Sequence, residues 1–265
     1  MPEKVEMGFW DHLVELLKRL RMMLYSVIVS TIIVMVFPIT LEFSDFSASN
    51  PFYPTITSYV IKDFQQRFLP TDAQLLPLSP IAPLEVYMFT SVIIGLAISS
   101  PVISYEFYKF LNPALHTRER RTIVQFVGSF VGLFVFGFAL AYLLVVPVTM
   151  RTLFTFSRML GLPPVYDFTE FMSVIGLSLL ICGLVFTFPT YIILLVKVGI
   201  LKIGQLTKNR KYLYGGILII IAFVDPEPGL VTEALLFIPI VILMESTILI
   251  AKRIEKRREI AAASS

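Results

Sequence analysis

The residues best suited to chemistry in this sequence are a few acids that border long apolar segments. Glu15 lies in a segment with amphipathic helical spacing, and Glu119 lies in the arginine-rich stretch 118–121. Glu245 is the ionisable residue set deepest within an apolar run. Carboxylates bind cationic groups, and a guanidinium suits them well because it can donate two parallel hydrogen bonds. The two acids at segment ends therefore indicate a site for a cationic ligand.

Each of these acids also has a purely structural interpretation. Glu15 could pair with Arg19 one helical turn later, which stabilises a helix by roughly 0.2–0.5 kcal/mol. Glu119 could belong to a solvated turn, and Glu245 could extend toward Lys252 and its neighbours at the membrane surface. From the residues alone the structural interpretation of Glu15 and Glu119 is favoured, and both interpretations stay open.

The sequence motifs of common enzyme classes are absent. It contains no HExxH, GxSxG or Walker A sequence, and neither of its two histidines, His12 and His116, has a companion in a metal-binding motif. Cys182 is the single cysteine, so an intrachain disulfide cannot form. We expect a protein that is not an enzyme and that needs no metal or other cofactor.

The apolar segments themselves predict an all-α membrane protein. Only 15% of the residues are charged, against about 25% in soluble domains. Four uncharged runs, 22–41, 86–105, 122–150 and 171–196, can each cross a bilayer core, which needs roughly 20 apolar residues. Two weaker runs follow, 212–224 and 234–251, of which the second contains Glu245. We therefore predict six transmembrane helices, the last two short.

The distribution of basic residues predicts that both termini lie in the cytoplasm. Of the 22 Lys and Arg residues, 18 fall in the two terminal segments and in the second and fourth connections. Lys and Arg concentrate on the cytoplasmic side of membrane proteins, which accounts for the excess without a nucleic-acid partner. The predicted single domain 1–265 comprises a cytoplasmic amphipathic helix (1–20), spans at 21–41, 86–108, 122–149, 170–196, 211–224 and 231–251, a long external loop (42–85) and a basic cytoplasmic tail (252–265).

The long external loop and the last two spans have features of their own. Prolines punctuate the loop, and its middle, residues 56–68, could form a helix. The fifth and sixth spans are too short to be stable when surrounded by lipid alone. We therefore expect these two helices to form an edge that binds a partner protein, including Tyr214 and Phe223. Asp225 belongs to the sequence DPEPG, which indicates a tight turn between these spans.

Three segments, in this order and spacing, carry a resemblance to a known family. They are DHLVELLKRL (11–20), SPVISYEFYKFLNPALHTRERR (100–121), and the pair FTFP (186–189) with LLFIPIVILMES (235–246). Together they resemble the TatC family, the membrane-embedded receptor subunit of the twin-arginine protein translocase. The second segment is the most specific, and the resemblance covers nearly the whole chain.

The resemblance implies a receptor in the plasma membrane of a prokaryote that binds the paired arginines of signal peptides. It implies export of folded proteins driven by the proton-motive force, single-span partners of the TatA/TatB type, and assembly into homo-oligomers. Glu15 and Glu119 match the acids that contact the two arginines. The other matched positions are Pro101, Phe110, Pro113 and Leu115, which shape that patch, Arg19 as the retained base, and Pro80 before the second span.

The sequence departs from the family pattern at several positions. Leu17 stands where the family usually has Arg, and Ala82 replaces an acid before the second span. Thr187 stands where many members have a glutamate, which leaves Thr187 and Glu245 as the polar candidates for contact with a partner helix. Two other functions remain open, a secondary transporter and another membrane scaffold or insertase. A transporter should show inverted repeats or interrupted helices, and neither is evident.

Overall fold

A computed structural model describes residues 9–38, 54–111, 120–198, 201, 203–224 and 230–263. These residues are mostly helical, as predicted, with one small two-stranded sheet. In chain order the helices are α1 Phe9–Val36, α2 Ile56–Phe68, α3 Ala82–Leu111, α4 Arg120–Leu140, α5 Val146–Met159, α6 Phe168–Val198, α7 Ile203–Lys208, α8 Arg210–Val224 and α9 Leu230–Ala263. The strands are β1 Gln74–Leu76 and β2 Val165–Asp167, paired in parallel.

Four helical stretches in the described residues are long and apolar enough to cross a membrane. They are Leu13–Val36, Ala82–Phe110, Ile123–Met159 and Phe168–Lys197. These four confirm the expectation of a helical membrane protein. Helices α8 and α9 occupy the regions of the predicted fifth and sixth spans, but α8 has only 15 residues and α9 contains Glu245. The six-span count therefore stays a prediction.

Helix α1 joins the predicted amphipathic segment and the predicted first span in one element. No proline or glycine interrupts residues 9–36, and the helix ends just before Pro38. Its leucines at 16, 17 and 20 are exposed, whereas Glu15 and Arg19 are half-buried. Thus Glu15 and Arg19 pack against protein while these leucines point outward, the reverse of a helix on a soluble domain.

Helices α4 and α5 form one continuous rod that contains a π-helical turn, Ala141–Val145. The Val146 N–H donates to the Ala141 carbonyl five residues back, and the next residue, Pro147, has no N–H to donate. Such turns insert an extra residue into a helix and are frequent at functional sites. The turn directs Tyr142 toward α2, where its hydroxyl donates to Asp63 Oδ2 at 2.5 Å.

The helix predicted over 56–68 in the long loop is confirmed as α2. Its first turn is capped reciprocally, since Thr55 Oγ1 accepts from the Ser58 N–H and Ser58 Oγ accepts from the Thr55 N–H. Leu69 and Pro70 end it. Phe64 and Phe68 on its inner face join the main apolar core. The helix therefore packs against α1 and α3, near the C-terminal end of α1 and the N-terminal end of α3.

Helix α6 is the most buried of the four membrane-span candidates and contacts α3, α4 and α9. A glycine permits its close approach to α4, because a Cβ at Gly137 would lie 2.7 Å from the Cys182 carbonyl oxygen. Helix α1 contacts α3 along its length, and a Cβ at Gly95 would lie 2.3 Å from Thr31 Oγ1. These contacts fix the position of α3 between α1 and α6.

Candidate functional site

The candidate site is a cluster of three charged side chains between α1 and α3. Arg19 donates from Nη1 to Glu106 Oε2 at 2.9 Å and from Nη2 to Glu15 Oε1 at 3.3 Å. Glu15 and Arg19 are one turn apart on α1, so the pair foreseen for these two residues does form. Glu106 comes from α3, 87 positions away from Arg19 in the chain. One guanidinium thus joins two carboxylates on different helices.

Aromatic packing holds the part of α3 that carries Glu106. Tyr108 is buried against Phe126 of α4, with ring centroids 5.5 Å apart. Phe107 meets Tyr191 of α6 edge-on, with centroids 4.7 Å apart. Because these two neighbours in sequence are anchored to α4 and α6, Glu106 is left on the side of α3 that packs against α1.

The cluster carries one more negative than positive charge. Two carboxylates face a single guanidinium, and the exposed fractions of the side chains are 19% for Glu15, 22% for Arg19 and 8% for Glu106. Within the described residues, Glu15 Oε2 and Arg19 Nε are buried and have no hydrogen-bond partner. An unpaired acceptor at a partly dehydrated site is energetically unfavourable. The geometry therefore suits an additional cation that can donate hydrogen bonds.

Glu106 is the functional candidate that the sequence analysis missed. The uncharged run 86–105 ends directly before Glu106, and Glu106 is not among the positions that the family resemblance assigns to the patch. Two signals were present. Arg19 has one acid, Glu15, within a helical turn on its own helix, and Glu106 lies one turn before Phe110, a residue that the family resemblance places in the patch.

The structure describes only some of the other residues predicted for the patch. Phe110 is half-buried near the end of α3, and Pro101 is exposed within that helix. Pro80 is exposed in the turn that precedes α3. Glu119, Pro113 and Leu115 lie outside the described residues, as does Asp225. The structure thus joins Glu15 with Arg19 and gives no position for Glu119.

Glu245 belongs to a second charged cluster, between α8 and α9. Arg210 Nη1 donates to both carboxylate oxygens of Glu245, at 3.0 and 3.2 Å, and the Tyr214 hydroxyl donates to Oε1. Glu245 therefore pairs with α8 instead of extending toward Lys252. Tyr214, expected at a partner-binding edge, points at α9. Phe223 lies in the last turn of α8.

Thr187 is completely buried in α6, two residues before Pro189. A hydroxyl near a proline in a membrane helix can satisfy the backbone carbonyl that the proline leaves free. The carbonyl left without an N–H donor by Pro189 is that of Val185, four residues back. Thr187 Oγ1 instead donates to the Leu184 carbonyl, at 2.6 Å. The hydroxyl is satisfied locally, so in this structure it does not present a free polar group to a partner.

Comparisons with known proteins agree on one family. A family model described as Sec-independent protein translocase protein (TatC) matches residues 11–239. A protein of that name from Blattabacterium sp. subsp. Periplaneta americana is 28% identical over 97% of this chain and 99% of its own length. Another, from Aquifex aeolicus, is 31% identical over 72% of this chain and 80% of its own length.

Solved structures give the same result at the level of the fold. A crystal structure titled as the twin arginine translocase receptor TatC superimposes with a TM-score of 0.71 and 27% sequence identity, covering 92% of this chain and 99% of that one. A second, solved in DDM, gives a TM-score of 0.73 and 26% identity, with coverage of 91% and 99%. The shared fold therefore extends over nearly the whole of both chains.

Proposed function

The chain belongs to the TatC family of Sec-independent protein translocase proteins, and from this we propose that it is the signal-peptide receptor and scaffold of a twin-arginine translocase. It is a multi-pass protein of the bacterial plasma membrane. Its ligand is the Arg-Arg signal peptide of a folded cargo protein, bound at the cytoplasmic face. Export is driven by the proton-motive force, and the family is one of translocase components rather than enzymes.

The observation that carries this proposal is the charged cluster between α1 and α3. Glu15 and Glu106 share one guanidinium, and Glu15 Oε2 is left without a donor among the described residues. A peptide guanidinium could supply that hydrogen bond in a planar, bidentate arrangement. Arg19 itself demonstrates that an arginine side chain fits between these two acids.

Arg19 has a positioning role in this proposal. It holds Glu15 and Glu106 in place and reduces the repulsion between them when no peptide is bound. The peptide's first arginine binds Glu15 beside it, and the second binds Glu119, which the predicted topology assigns to the cytoplasmic side. Glu106 is the acid that keeps Arg19 oriented. Phe110, Pro101, Pro113 and Leu115 shape the apolar border of the site.

The topology proposed for this receptor has six spans with both termini in the cytoplasm. The bias of basic residues supports it, as does the presence of helices at both predicted short spans. The Arg210–Glu245 pair supports the pairing of α8 with α9, because each charge is neutralised by the other. Together these two helices would present a single short hairpin to the bilayer.

The proposed partners are single-span proteins of the TatA/TatB type, which dock on the edge that α8 forms. The chain is also proposed to assemble into homo-oligomers. The outward side of α8 supports this edge, since Tyr212 and Ile219 are exposed there. Tyr214 and Glu245 contribute by holding α8 against α9, and Phe223 marks the outer end of the edge. Thr187 in place of an acid would make contact there less polar than in many relatives.

A binding assay with purified protein in detergent tests the receptor function. An Arg-Arg signal peptide should bind well above the same peptide with Lys-Lys, since lysine lacks the planar fork. Glu15→Gln and Glu106→Gln should each weaken binding, the first more strongly. Glu170→Gln is the matched control, because Glu170 is an exposed acid at the opposite end of the molecule. Equal binding by all variants and both peptides would exclude this site.

A further inference from the structure

A continuous seam runs between α2 and the rod formed by α4, the π-helical turn and α5. Two cavities follow one another along this seam. The first, of about 480 Å³, is lined by α2 at Val60 and Phe64, by the rod at Phe138 and Tyr142, and also by α3 between residues 90 and 97. The second, of about 320 Å³, lies further along the same two elements, between Arg67 and Arg158. The seam is thus mostly apolar at one end, where Asp63 is held by the Tyr142 hydroxyl, and basic at the other.

Three arginines converge on the second cavity. Arg67 comes from the last turn of α2, and Arg151 and Arg158 share a face of α5 with Thr155. No acid is among the residues that line this cavity. Buried Phe154, Met150 and Phe68 also line it. This arrangement provides guanidinium donors beside an apolar surface, as an anionic group attached to an apolar chain requires.

Two of the three guanidinium groups are already oriented by neighbours. Arg158 donates from Nη2 to both carboxylate oxygens of Asp72, at 2.8 Å each. Arg67 lies over the Tyr142 ring, 4.6 Å from its centroid. Arg151 makes no side-chain hydrogen bond or ion pair with any described residue. Arg151 is therefore the guanidinium available to a ligand.

The location of these arginines is unusual for a membrane protein. By the proposed topology this end of the seam faces outward, where basic residues are depleted. Only four of the 22 basic residues fall in the predicted external segments, and three of them line this one cavity. The fourth, Lys62, does not line it. Such convergence favours a bound anion over a random distribution of surface charge.

The apolar part of the seam is nearly as long as the hydrocarbon layer of one leaflet. From Phe134 to Tyr142 the rod rises about 12 Å at about 1.5 Å per residue, close to the roughly 15 Å of hydrocarbon in one leaflet. Pro147, the first rod residue of the basic cavity, is about 8 Å further along. The basic cavity therefore follows the apolar one along the rod, in the order in which a phosphate follows an acyl chain in a phospholipid.

From these observations we propose that the seam binds one anionic phospholipid, with its phosphate among Arg67, Arg151 and Arg158 and an acyl chain in the apolar groove. The lipid would fill the gap between α2 and the α4–α5 rod and so hold the outer helix in place. The site is separate from the charged cluster between α1 and α3. Signal-peptide binding therefore does not depend on it.

Lipid binding to the detergent-purified chain, counted by native mass spectrometry, tests the proposal. The wild-type chain should retain phosphatidylglycerol in preference to phosphatidylcholine. Arg151→Gln should weaken phosphatidylglycerol binding about fivefold, as expected for one basic group at a lipid surface, and leave phosphatidylcholine binding unchanged. Lys62→Gln is the matched control, since it removes an external charge that does not line the cavity, and it should bind as the wild type does.

A second pair of variants tests the apolar groove. Ala139 lines it, so Ala139→Trp should reduce binding of both phospholipids. Ala222→Trp places the same bulk on an exposed position of α8 and should have no effect. Circular dichroism and signal-peptide binding should match the wild type for every variant, which excludes unfolding as the cause.

Three results would overturn the lipid assignment. The first is equal retention of phosphatidylglycerol and phosphatidylcholine by the wild type. The second is the same loss from Lys62→Gln as from Arg151→Gln, which would indicate general electrostatic attraction. The third is competition by inorganic phosphate at equal phosphate concentration, which would indicate a site for a free anion.

Discussion

At the scale of single residues, the charge balance around Arg19 determines how the candidate site between α1 and α3 behaves. Arg19 is the one base between Glu15 and Glu106, and Glu106 is the most buried of the three. A buried carboxylate without a partner is costly, so Arg19 has a structural role in addition to any role in binding. This dual role makes its substitution harder to interpret than that of either acid.

Arg19→Leu should lower stability strongly, because it leaves Glu106 buried and uncompensated. Removing one partner of a buried pair costs about 3–5 kcal/mol, and the partial exposure here places the expected loss at the low end. The double variant Arg19→Leu with Glu106→Leu should recover most of it. Thermal unfolding in detergent of both single variants and the double variant measures the coupling. Additive losses would mean that the two side chains do not interact.

Glu119 is the acid for which the family resemblance makes the sharpest prediction. It lies among Arg118, Arg120 and Arg121, so the local potential repels an arginine-rich ligand unless an acid is directed at it. A charge-assisted pair at a partly dehydrated surface contributes roughly 1.5–3 kcal/mol. Glu119→Gln should therefore weaken binding of an Arg-Arg peptide about ten- to a hundredfold, at about 1.4 kcal/mol per decade.

Glu119→Arg should abolish that binding, since the peptide guanidinium would meet a like charge. Neither variant should unfold the protein, because the change lies in a connection and not in a packed span. Titration of wild type and both variants with the Arg-Arg and Lys-Lys peptides measures the effect. Unchanged binding by intact variants would assign Glu119 to an ordinary connecting turn.

At the scale of elements, the contact between α4 and α6 depends on a glycine. A Cβ at Gly137 would approach the Cys182 carbonyl oxygen and Phe186 Cβ to 2.7 Å, whereas nothing lies within 4 Å of a Cβ at Gly132. Gly137→Ala should destabilise the protein by about 1–3 kcal/mol, as overpacking does. Gly132→Ala should leave stability unchanged or raise it slightly. A lower melting temperature for only the first variant is the expected result.

The partner-binding edge proposed on α8 can be tested by cysteine crosslinking. Ile219 is exposed and Ile217 is buried on the same helix, so they form a matched pair. In a Cys182→Ser background, Ile219→Cys should capture a single-span partner of the TatA/TatB type, and Ile217→Cys should not. Reaction with lipid-soluble reagents alone at position 219 would remove support for this edge.

At the scale of the whole molecule, the distribution of basic residues predicts one orientation in the membrane. Accessibility tags at both termini and in the connections 109–121 and 197–211 should report the cytoplasm. Tags in the loop 42–85 should report the outside. Labelling of intact cells with a membrane-impermeant reagent measures this directly. An N-terminus that is accessible from the outer face would reverse the topology and place the charged cluster on the wrong side for a signal peptide.

The sequence by itself determined that this is a helical membrane protein of the TatC family. Runs of uncharged residues such as 122–150 and 171–196 fix helical segments, because each backbone N–H and C=O in a bilayer must bond within its own segment. Helix α2 could be predicted for a different reason, since prolines bound it and apolar residues line one face. Glu15 and Arg19 were recognised as a pair because they are one helical turn apart.

Only the tertiary structure decided which residues meet across helices. Glu106 joins Arg19 because aromatic packing rotates α3 so that this side chain meets α1, and local spacing contains no information on that rotation. In the same way, Glu245 meets Arg210 and Tyr214 instead of Lys252, and three arginines from α2 and α5 line one cavity. Spacing along a helix specifies its faces, but the packing of all the helices together decides what each face contacts.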